Sequence, residues 1–261
     1  MMKKLIIIAL VLGLFACSTE TKKKESNKEA VKQEAAQTET KQEQQQAAQP
    51  EDPASVETPE KTATAETPEK KEDNNEIEII LSTDYGEILL KLYNKTPGHR
   101  DNIVKLINDG WYNNSPFHRV INNFMIQGGH NADGRVDPGY TIPAEFVHEY
   151  IHKKGALAAA RMGDNVNPAK ESSGCQFYIV QGKKSSDGEL DMIEKRGGFK
   201  YTPEQRDIYK TVGGTPFLDY SYTVYGEVVS GIEVVDKIAS VQTKPGDVPV
   251  KAVTMKISVV K

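Results

Sequence analysis

Arg119, Phe124 and Gln127 lie close together in the chain, and their side chains could act together on a substrate. Arginine is a permanent cation, and its planar guanidinium can be held in one orientation by a neighbouring amide such as that of Gln127. A fixed guanidinium donates a hydrogen bond, which catalyses a reaction if the acceptor becomes basic only in the transition state. Phe124 would add an apolar contact. Residues of these types could therefore catalyse a reaction by hydrogen bonding, and such a mechanism needs no nucleophile, metal or cofactor.

A second set of residues spells the zinc-protease motif His-Glu-x-x-His at His148, Glu149 and His152. On a helix the two histidines would lie on one face, and the glutamate would be the general base. No histidine follows His152, so a third ligand would have to be a carboxylate such as Glu171. The motif specifies few positions, and a solvent-exposed loop is the simpler interpretation. A zinc protease stays open as an alternative.

Short segments rich in apolar and β-branched residues predict that strands position these side chains. They cover residues 77–81, 86–92, 117–127, 176–180, 222–229 and 253–259. Two helices are expected: one begins at Pro97, directly after Thr96, and the other covers residues 235–240. Many short strands with few helices are typical of a closed antiparallel barrel with capped ends.

Residues 183–216 interrupt the strand pattern and predict a helical insertion between two strands. Residues 190–194 fit one short helix. Thr202 and Gln205 match a capping box around Pro203, which fits the first position of a second helix.

The first 17 residues have the organisation of a secretory signal, with two lysines before an apolar stretch that is too short to span a bilayer. The stretch ends in Leu-Phe-Ala-Cys, which resembles the bacterial lipobox, so we expect a lipid anchor on Cys17. Residues 18–75 contain no aromatic residue, leucine, isoleucine or glycine. They predict a disordered tether with a reach of roughly 40 Å. Ser18 rather than aspartate follows the cysteine, which favours the outer membrane of a Gram-negative bacterium.

Charge and cysteine content exclude other classes of protein. The chain has 261 residues and a net charge of −4. No basic tract alternates with aromatic residues, so nucleic-acid binding is not expected. The two cysteines are Cys17 and Cys175. Lipid on Cys17 would leave Cys175 without a partner, so a disulfide framework does not hold this fold together.

Residues 117–129, Phe-His-Arg-Val-Ile-Asn-Asn-Phe-Met-Ile-Gln-Gly-Gly, resemble the cyclophilin signature. Further segments resemble other cyclophilin motifs in the correct order. They are Gly-Ala-Leu-Ala-Ala-Ala-Arg at 155–161, Gly-Cys-Gln-Phe-Tyr-Ile at 174–179, Phe-Leu-Asp at 217–219 and Tyr-Gly-Glu-Val at 225–228. From residue 76 to residue 261, interrupted by the insertion, the chain is therefore similar to a cyclophilin-type peptidyl-prolyl cis/trans isomerase.

This resemblance implies a mainly β fold, namely a closed eight-stranded antiparallel barrel with two capping helices, and a groove for an extended Xaa-Pro peptide. It implies that Arg119 is the catalytic cation, that Gln127 orients it and that Phe124 contacts the proline ring. It assigns substrate binding to Met125, Ala160, Arg161, Gln176, Tyr178, Phe217, Leu218 and Tyr222. The expected partners are proline-containing proteins or peptides outside the cytoplasm, and the expected role is to assist their folding.

Two departures from the family pattern bear on specificity. Tyr178 adds a hydroxyl to the pocket wall, and Phe217 stands where the family commonly has tryptophan. In the family the indole N–H at that position donates a hydrogen bond to cyclosporin, so weak cyclosporin binding is expected here. A helix over residues 203–212 that covered the groove would be a different cause of weak binding. A cyclophilin-like module that binds proteins without turnover is the remaining alternative.

Overall fold

The computed structural model describes residues 76–133 and 137–260. The expected signal peptide, the lipid anchor on Cys17 and the tether lie outside these residues. Strands β1 to β13 are, in chain order, Ile77–Thr83, Gly86–Leu92, Ser115–Pro116, Arg119–Ile121, Met125–Gly128, Thr141–Ile142, Ala156–Ala159, Ser172–Ser173, Phe177–Val180, Val224–Ser230, Thr243–Lys244, Val248–Pro249 and Thr254–Val259. Helices α1 to α4 are Pro97–Asn108, Asp187–Gly197, Pro203–Thr211 and Ile232–Ala239, and a 3-10 turn covers Pro216–Leu218.

Nine of these strands form one curled sheet in the order β3-β13-β1-β2-β10-β7-β9-β5-β4. Each pairing in this sheet is antiparallel. In the hairpin β1–β2, a two-residue turn at Asp84 and Tyr85 makes Thr83 the partner of Gly86. Alternate residues of both strands then lie on the buried face, as the two-residue period of a strand requires. The prediction of a mainly β, antiparallel fold is confirmed.

The two edge strands of the sheet, β3 and β4, are separated along the chain by Phe117 and His118 alone. The Phe117 N–H donates to the carbonyl of Val253, just before β13, at 2.9 Å. The His118 N–H donates to the carbonyl of Gln127 in β5 at 3.0 Å. Backbone hydrogen bonding therefore continues across this connection from one edge strand to the other.

Helices α1 and α4 supply one face each to the main hydrophobic core. α1 begins at Pro97, as expected, and buries Ile103 and Leu106 among the sheet residues. α4 begins at Ile232, earlier than expected, and buries Ile238 in the same core. Within the described ranges no helix has the length and apolar character needed to cross a membrane.

The insertion over residues 183–216 contains both of its expected helices, α2 and α3. The capping box of α3 is present, with the Thr202 side chain accepting from the Gln205 N–H and the Gln205 side chain accepting from the Thr202 N–H. α2 begins with a capping box of its own. The insertion has a small hydrophobic core separate from the main one. Its buried members are Ile151, Leu190, Tyr201 and Tyr209.

Candidate active site

Nine of the residues expected in catalysis or substrate binding line a single cavity of about 120 Å³. They come from β4, the turn after it, β5, β9, the segment after β7 and the chain that follows the insertion. We call this cavity the Arg119 pocket. Its lining residues are Arg119, Phe124, Met125, Gln127, Ala160, Arg161, Tyr178, Leu218 and Tyr222.

Arg119 in β4 and Gln127 in β5 are directly opposite each other across the antiparallel pair, so their side chains lie side by side. The Gln127 amide donates to Gln176 Oε1 at 3.3 Å. Gln176 itself lies outside the lining of the pocket. The expected role of Gln127 in orienting Arg119 stays a prediction.

Arg119 forms a hydrogen bond with the side chain of Asp247, a residue that the sequence analysis did not identify. Arg119 Nε donates to Asp247 Oδ2 at 3.4 Å, and the two side chains are 42% and 45% exposed. Asp247 lies in the hairpin β11–β12 with a left-handed φ of 61°, which aspartate tolerates better than most residues. Its carbonyl accepts from the Val120 N–H at 2.8 Å. Pro245 and Gly246 signal a turn here, but nothing local indicates that the turn reaches β4.

Phe124, Met125, Tyr178 and Leu218 form the apolar wall of the pocket. Met125 is 2% exposed and Tyr178 is 4% exposed. Phe124 and Leu218 pack against the same hydrophobic cluster from partly exposed positions. A rigid apolar wall beside an accessible guanidinium suits a small uncharged ring with a peptide bond next to it.

The hydroxyl of Tyr178 begins a buried chain of hydrogen bonds that sequence reasoning also missed. Tyr178 Oη lies 3.0 Å from His152 Nε2, and His152 Nδ1 lies 2.7 Å from Asp219 Oδ1. Asp219 Oδ2 accepts from the hydroxyls of Tyr201 and Tyr209 at 2.6 and 2.5 Å. Burial raises the pKa of Tyr178 well above its usual value, so this hydroxyl stays protonated. The chain of bonds connects the wall of the Arg119 pocket to the insertion.

The segment that carries the zinc-protease motif is not helical. His148 and Glu149 lie in a turn, with the His148 ring 4.5 Å from that of Tyr220 and Glu149 paired with Lys95. His152 is fully buried against Asp219. Across residues 76–133 and 137–260, no group of three or more His, Cys, Asp or Glu side chains could hold a metal ion. The described geometry therefore does not support the zinc alternative, and the expectation of an exposed loop is wrong for His152.

Arg161 is fixed on the opposite side of the pocket. Its guanidinium carbon lies 4.4 Å from the centre of the Tyr222 ring, and its side chain is 4% exposed. Backbone recognition of substrate was expected from both Ala160 and Arg161. The Ala160 N–H donates to the Gln176 carbonyl at 3.0 Å, and the Ala160 carbonyl accepts from the Ser173 N–H at 2.8 Å. Both backbone groups of Ala160 therefore already have partners within the protein.

Phe217 lies outside the lining of the Arg119 pocket. Its side chain is 59% exposed, and its ring centre is 5.7 Å from that of Phe124, which does line the pocket. Helix α3 contributes no lining residue to the pocket. The geometry of the described residues therefore gives no support to a groove covered by α3.

The sheet and its pocket define a mainly β protein with an arginine beside a small apolar cavity. Comparison with known sequences identifies the family. The family model for "Cyclophilin type peptidyl-prolyl cis-trans isomerase/CLD" matches residues 77–260. A Staphylococcus saprophyticus protein named "Putative peptidyl-prolyl cis-trans isomerase" is 34% identical over 189 residues, covering 70% of this chain and 91% of the relative. A Staphylococcus aureus protein of the same name is 33% identical over 186 residues, covering 69% and 90%. The chain belongs to the cyclophilin-type peptidyl-prolyl cis-trans isomerases.

Solved structures agree with this fold. A cyclophilin-type peptidyl-prolyl cis-trans isomerase from Cryptosporidium parvum superposes with a TM-score of 0.54 at 20% identity, covering 71% of this chain and 98% of that one. The same protein crystallised in the presence of the dipeptide Ala-Pro superposes with a TM-score of 0.50, covering 70% and 99%. At this level of identity the likeness concerns the fold alone.

Proposed function

We propose that this enzyme accelerates cis/trans isomerisation of Xaa-Pro bonds in proteins outside the cytoplasm and so assists their folding. One observation carries the proposal: Arg119 borders an apolar pocket whose lining includes Phe124 and Leu218. The pocket would hold the proline ring, and the guanidinium would face the peptide bond before it. The Cryptosporidium parvum relative was crystallised in the presence of Ala-Pro, and we extend that class of ligand to this pocket.

The chemistry follows from the electronic structure of the peptide bond. Resonance between the nitrogen lone pair and the carbonyl gives a rotation barrier of about 18–20 kcal/mol. At Xaa-Pro the cis and trans forms differ little in free energy, so the rate is the quantity that an enzyme can usefully change. In the twisted amide the nitrogen becomes basic, and Arg119 would donate a hydrogen bond that is strong only in that state. This is preferential binding of the transition state.

The direct test is Arg119→Ala in an isomerisation assay with a proline peptide. Loss of one preorganised transition-state donor should lower kcat/KM by about two orders of magnitude or more, while peptide binding weakens much less. Lys256→Ala, an exposed site in β13, is the control and should behave as the wild type. Near-normal turnover by Arg119→Ala would contradict the catalytic role of Arg119. Peptide binding without turnover by the wild type would favour the alternative of a pure binding module.

We also propose that the enzyme is held at the outer membrane of a Gram-negative bacterium by lipid on Cys17, with residues 18–75 as the tether. The apolar leader and the lipobox-like sequence before Cys17 support this. Cys17→Ala should abolish lipid attachment, seen by mass spectrometry, and move the protein out of the membrane fraction. Cys175→Ala, which changes a buried cysteine, is the matched control and should leave membrane attachment intact. Lipid on the Cys17→Ala protein would contradict the proposal.

We further propose that the sheet is the closed eight-stranded barrel of the family, with β3 and β4 acting as one bent strand around Phe117 and His118. The backbone hydrogen bonds of these two residues to Val253 and Gln127 support this. Their amide hydrogens should then exchange as slowly as those of the hairpin β1–β2. Rapid exchange at both amides would indicate an open sheet.

A further inference from the structure

A second and larger cavity, of about 580 Å³, lies between the insertion and the chain that follows it. We call it the insertion pocket. Met192 and Ile193 of α2 line one side together with Phe199, and Phe217 lines the other. No residue lines both this cavity and the Arg119 pocket. The insertion pocket is therefore a separate site that the isomerase mechanism does not use.

The two pockets are neighbours along the same surface. Their lining residues alternate along the chain, since Asn123 and Phe217 line the insertion pocket while the next residues, Phe124 and Leu218, line the Arg119 pocket. The rings of Phe124 and Phe217 pack together between the cavities, with their centres 5.7 Å apart. An extended polypeptide advances about 3.3–3.6 Å per residue. A chain with its proline in the Arg119 pocket could thus place a side chain a few residues away in the insertion pocket.

The lining of the insertion pocket favours a large apolar side chain. Met192 is 66% exposed and Phe217 is 59% exposed. Covering such side chains with another apolar group removes their surface from water, which is favourable. Methionine also adapts its shape to different partners because it is unbranched and flexible. The lining also includes charged side chains, namely Lys183, Glu189 and Arg196.

One part of the pocket wall, around Asp219 and Gly214, is held in place by buried contacts. Asp219 lines the pocket and accepts hydrogen bonds from Tyr201 and Tyr209 of the insertion. It also contacts His152, which lies before β7. At Gly214, whose φ is 156°, an added Cβ would lie 2.2 Å from the His152 carbonyl, so the two chain segments are in close contact. A preformed pocket loses little conformational entropy on binding.

We propose that the insertion pocket is a second substrate subsite, which binds a leucine, isoleucine, methionine or phenylalanine side chain close to the proline of the client polypeptide. This rests on the proposed isomerase function and adds a sequence preference to it. Continuity with the Arg119 pocket favours a client polypeptide as the occupant. Residues 18–75 of the chain itself contain no leucine, isoleucine or aromatic residue, so they fit this pocket poorly.

The experiment uses the purified full chain and peptides of alanine around one Ala-Pro bond, with a single leucine moved from two to four residues before or after the proline. Isomerisation is followed by NMR exchange, which needs no protease, and binding by calorimetry. At one leucine position we expect kcat/KM to exceed that of the all-alanine peptide by about tenfold. Met192→Ser should reduce this leucine-to-alanine ratio severalfold. Val212→Ser, which changes another exposed apolar residue of the insertion outside the pocket lining, should leave the ratio as it is.

Three outcomes would overturn the proposal: no leucine position is preferred, the preference survives Met192→Ser, or Val212→Ser abolishes it equally. Failure of the proposed function is seen separately, because the all-alanine peptide would then not be turned over at all. In that case the binding measured by calorimetry still tests the subsite. Tighter binding of one leucine peptide, lost in Met192→Ser, would support the subsite, and equal binding of all peptides would exclude it.

Discussion

The Arg119 pocket and the insertion are neighbours that are stabilised by different forces. The pocket is built on an apolar cluster of strand residues that includes Met125, Tyr178 and Val180. The insertion has a small apolar core, and buried carboxylates at Glu194 and Asp219 collect much of its hydrogen bonding. Each apolar contact is individually weak, whereas a buried charge is costly unless its partners are present. A single substitution should therefore damage the attachment of the insertion more than the shape of the pocket.

Glu194 shows how the insertion depends on its polar groups. Its side chain is 2% exposed and lies 2.6 Å from Lys200 Nζ and 2.9 Å from Arg206 Nη1. Burial alone would raise the pKa of Glu194, but hydrogen bonds from Lys200, the Tyr201 N–H and Arg206 outweigh burial and lower it. A carboxylate with a lowered folded-state pKa stabilises the protein above its usual pKa, and this contribution is lost as the pH falls through the folded value. Acid should therefore weaken the insertion.

The largest effect is expected from Asp219→Ala. This change leaves the buried hydroxyls of Tyr201 and Tyr209 and the ring of His152 without their common partner. Removing one member of a buried charged network typically costs about 3–5 kcal/mol, so the free energy of unfolding, measured by urea titration with circular dichroism, should fall by about that amount.

Asp207→Ala is the matched control, because Asp207 is an exposed aspartate of α3. Surface changes of this kind usually alter stability by less than about 0.5 kcal/mol. If Asp219→Ala cost no more than Asp207→Ala, the contrast between an apolar pocket and a polar insertion would be wrong.

What the sequence could predict also differs between the Arg119 pocket and the insertion. The strands, the helices and the lining of the Arg119 pocket depend on local periodicity and on several short contiguous motifs. Asp219 lies 67 positions from His152, and Asp247 lies 128 positions from Arg119. Side chains so far apart meet only in the folded chain, and no local pattern distinguishes His152 as a buried partner from His152 as a zinc ligand. These long-range polar contacts therefore could not be predicted from the sequence.

A smaller effect is expected where the two regions meet, at Phe217. An exposed phenylalanine can pack against cyclosporin but cannot donate a hydrogen bond to it. An unpaired buried carbonyl of the drug costs about 1–3 kcal/mol, so Phe217→Trp should tighten inhibition by roughly ten- to a hundredfold in the isomerase assay. Shortening residues 184–215 to a Gly-Ser turn should not tighten it. If the shortened chain alone bound tightly, the insertion rather than residue 217 would control access to the Arg119 pocket.

The effect of acid on stability should also differ between the Arg119 pocket and the insertion. His118, next to Arg119, stacks on His130 with ring centres 4.4 Å apart. Burial, followed by the charges of His130 and Arg119, lowers the pKa of His118 from 6.5 to about 4. Between these values the unfolded chain binds a proton that the folded chain does not, so stability falls as the pH drops from 6.5 towards 4.

The Tm measured at pH 7 and at pH 5 should therefore drop less in His118→Gln than in the wild type. Some dependence of Tm on pH should remain, because burial also lowers the pKa of His99. The hydrogen bond and charge of Glu145 offset burial only in part. His148→Gln changes an exposed histidine and is the control. Its Tm should change between pH 7 and pH 5 as it does in the wild type. A full slope in His118→Gln would place the acid sensitivity elsewhere, with His99 as the first candidate.

The smallest effect is expected at Asp247, whose carboxylate pairs with Arg119 at the edge of the Arg119 pocket. Because the pair with Arg119 is half exposed, it should contribute about 0.2–1 kcal/mol. Asn tolerates the left-handed backbone at this position as aspartate does, so Asp247→Asn removes the charge without straining the turn. We expect kcat/KM to fall by about 1.4- to 5-fold, with little change in Tm. A loss near that of Arg119→Ala would mean that the catalytic arginine depends on a charged partner as strongly as the insertion does. An unchanged rate would mean that the pairing of β4 with β5 orients Arg119 without help.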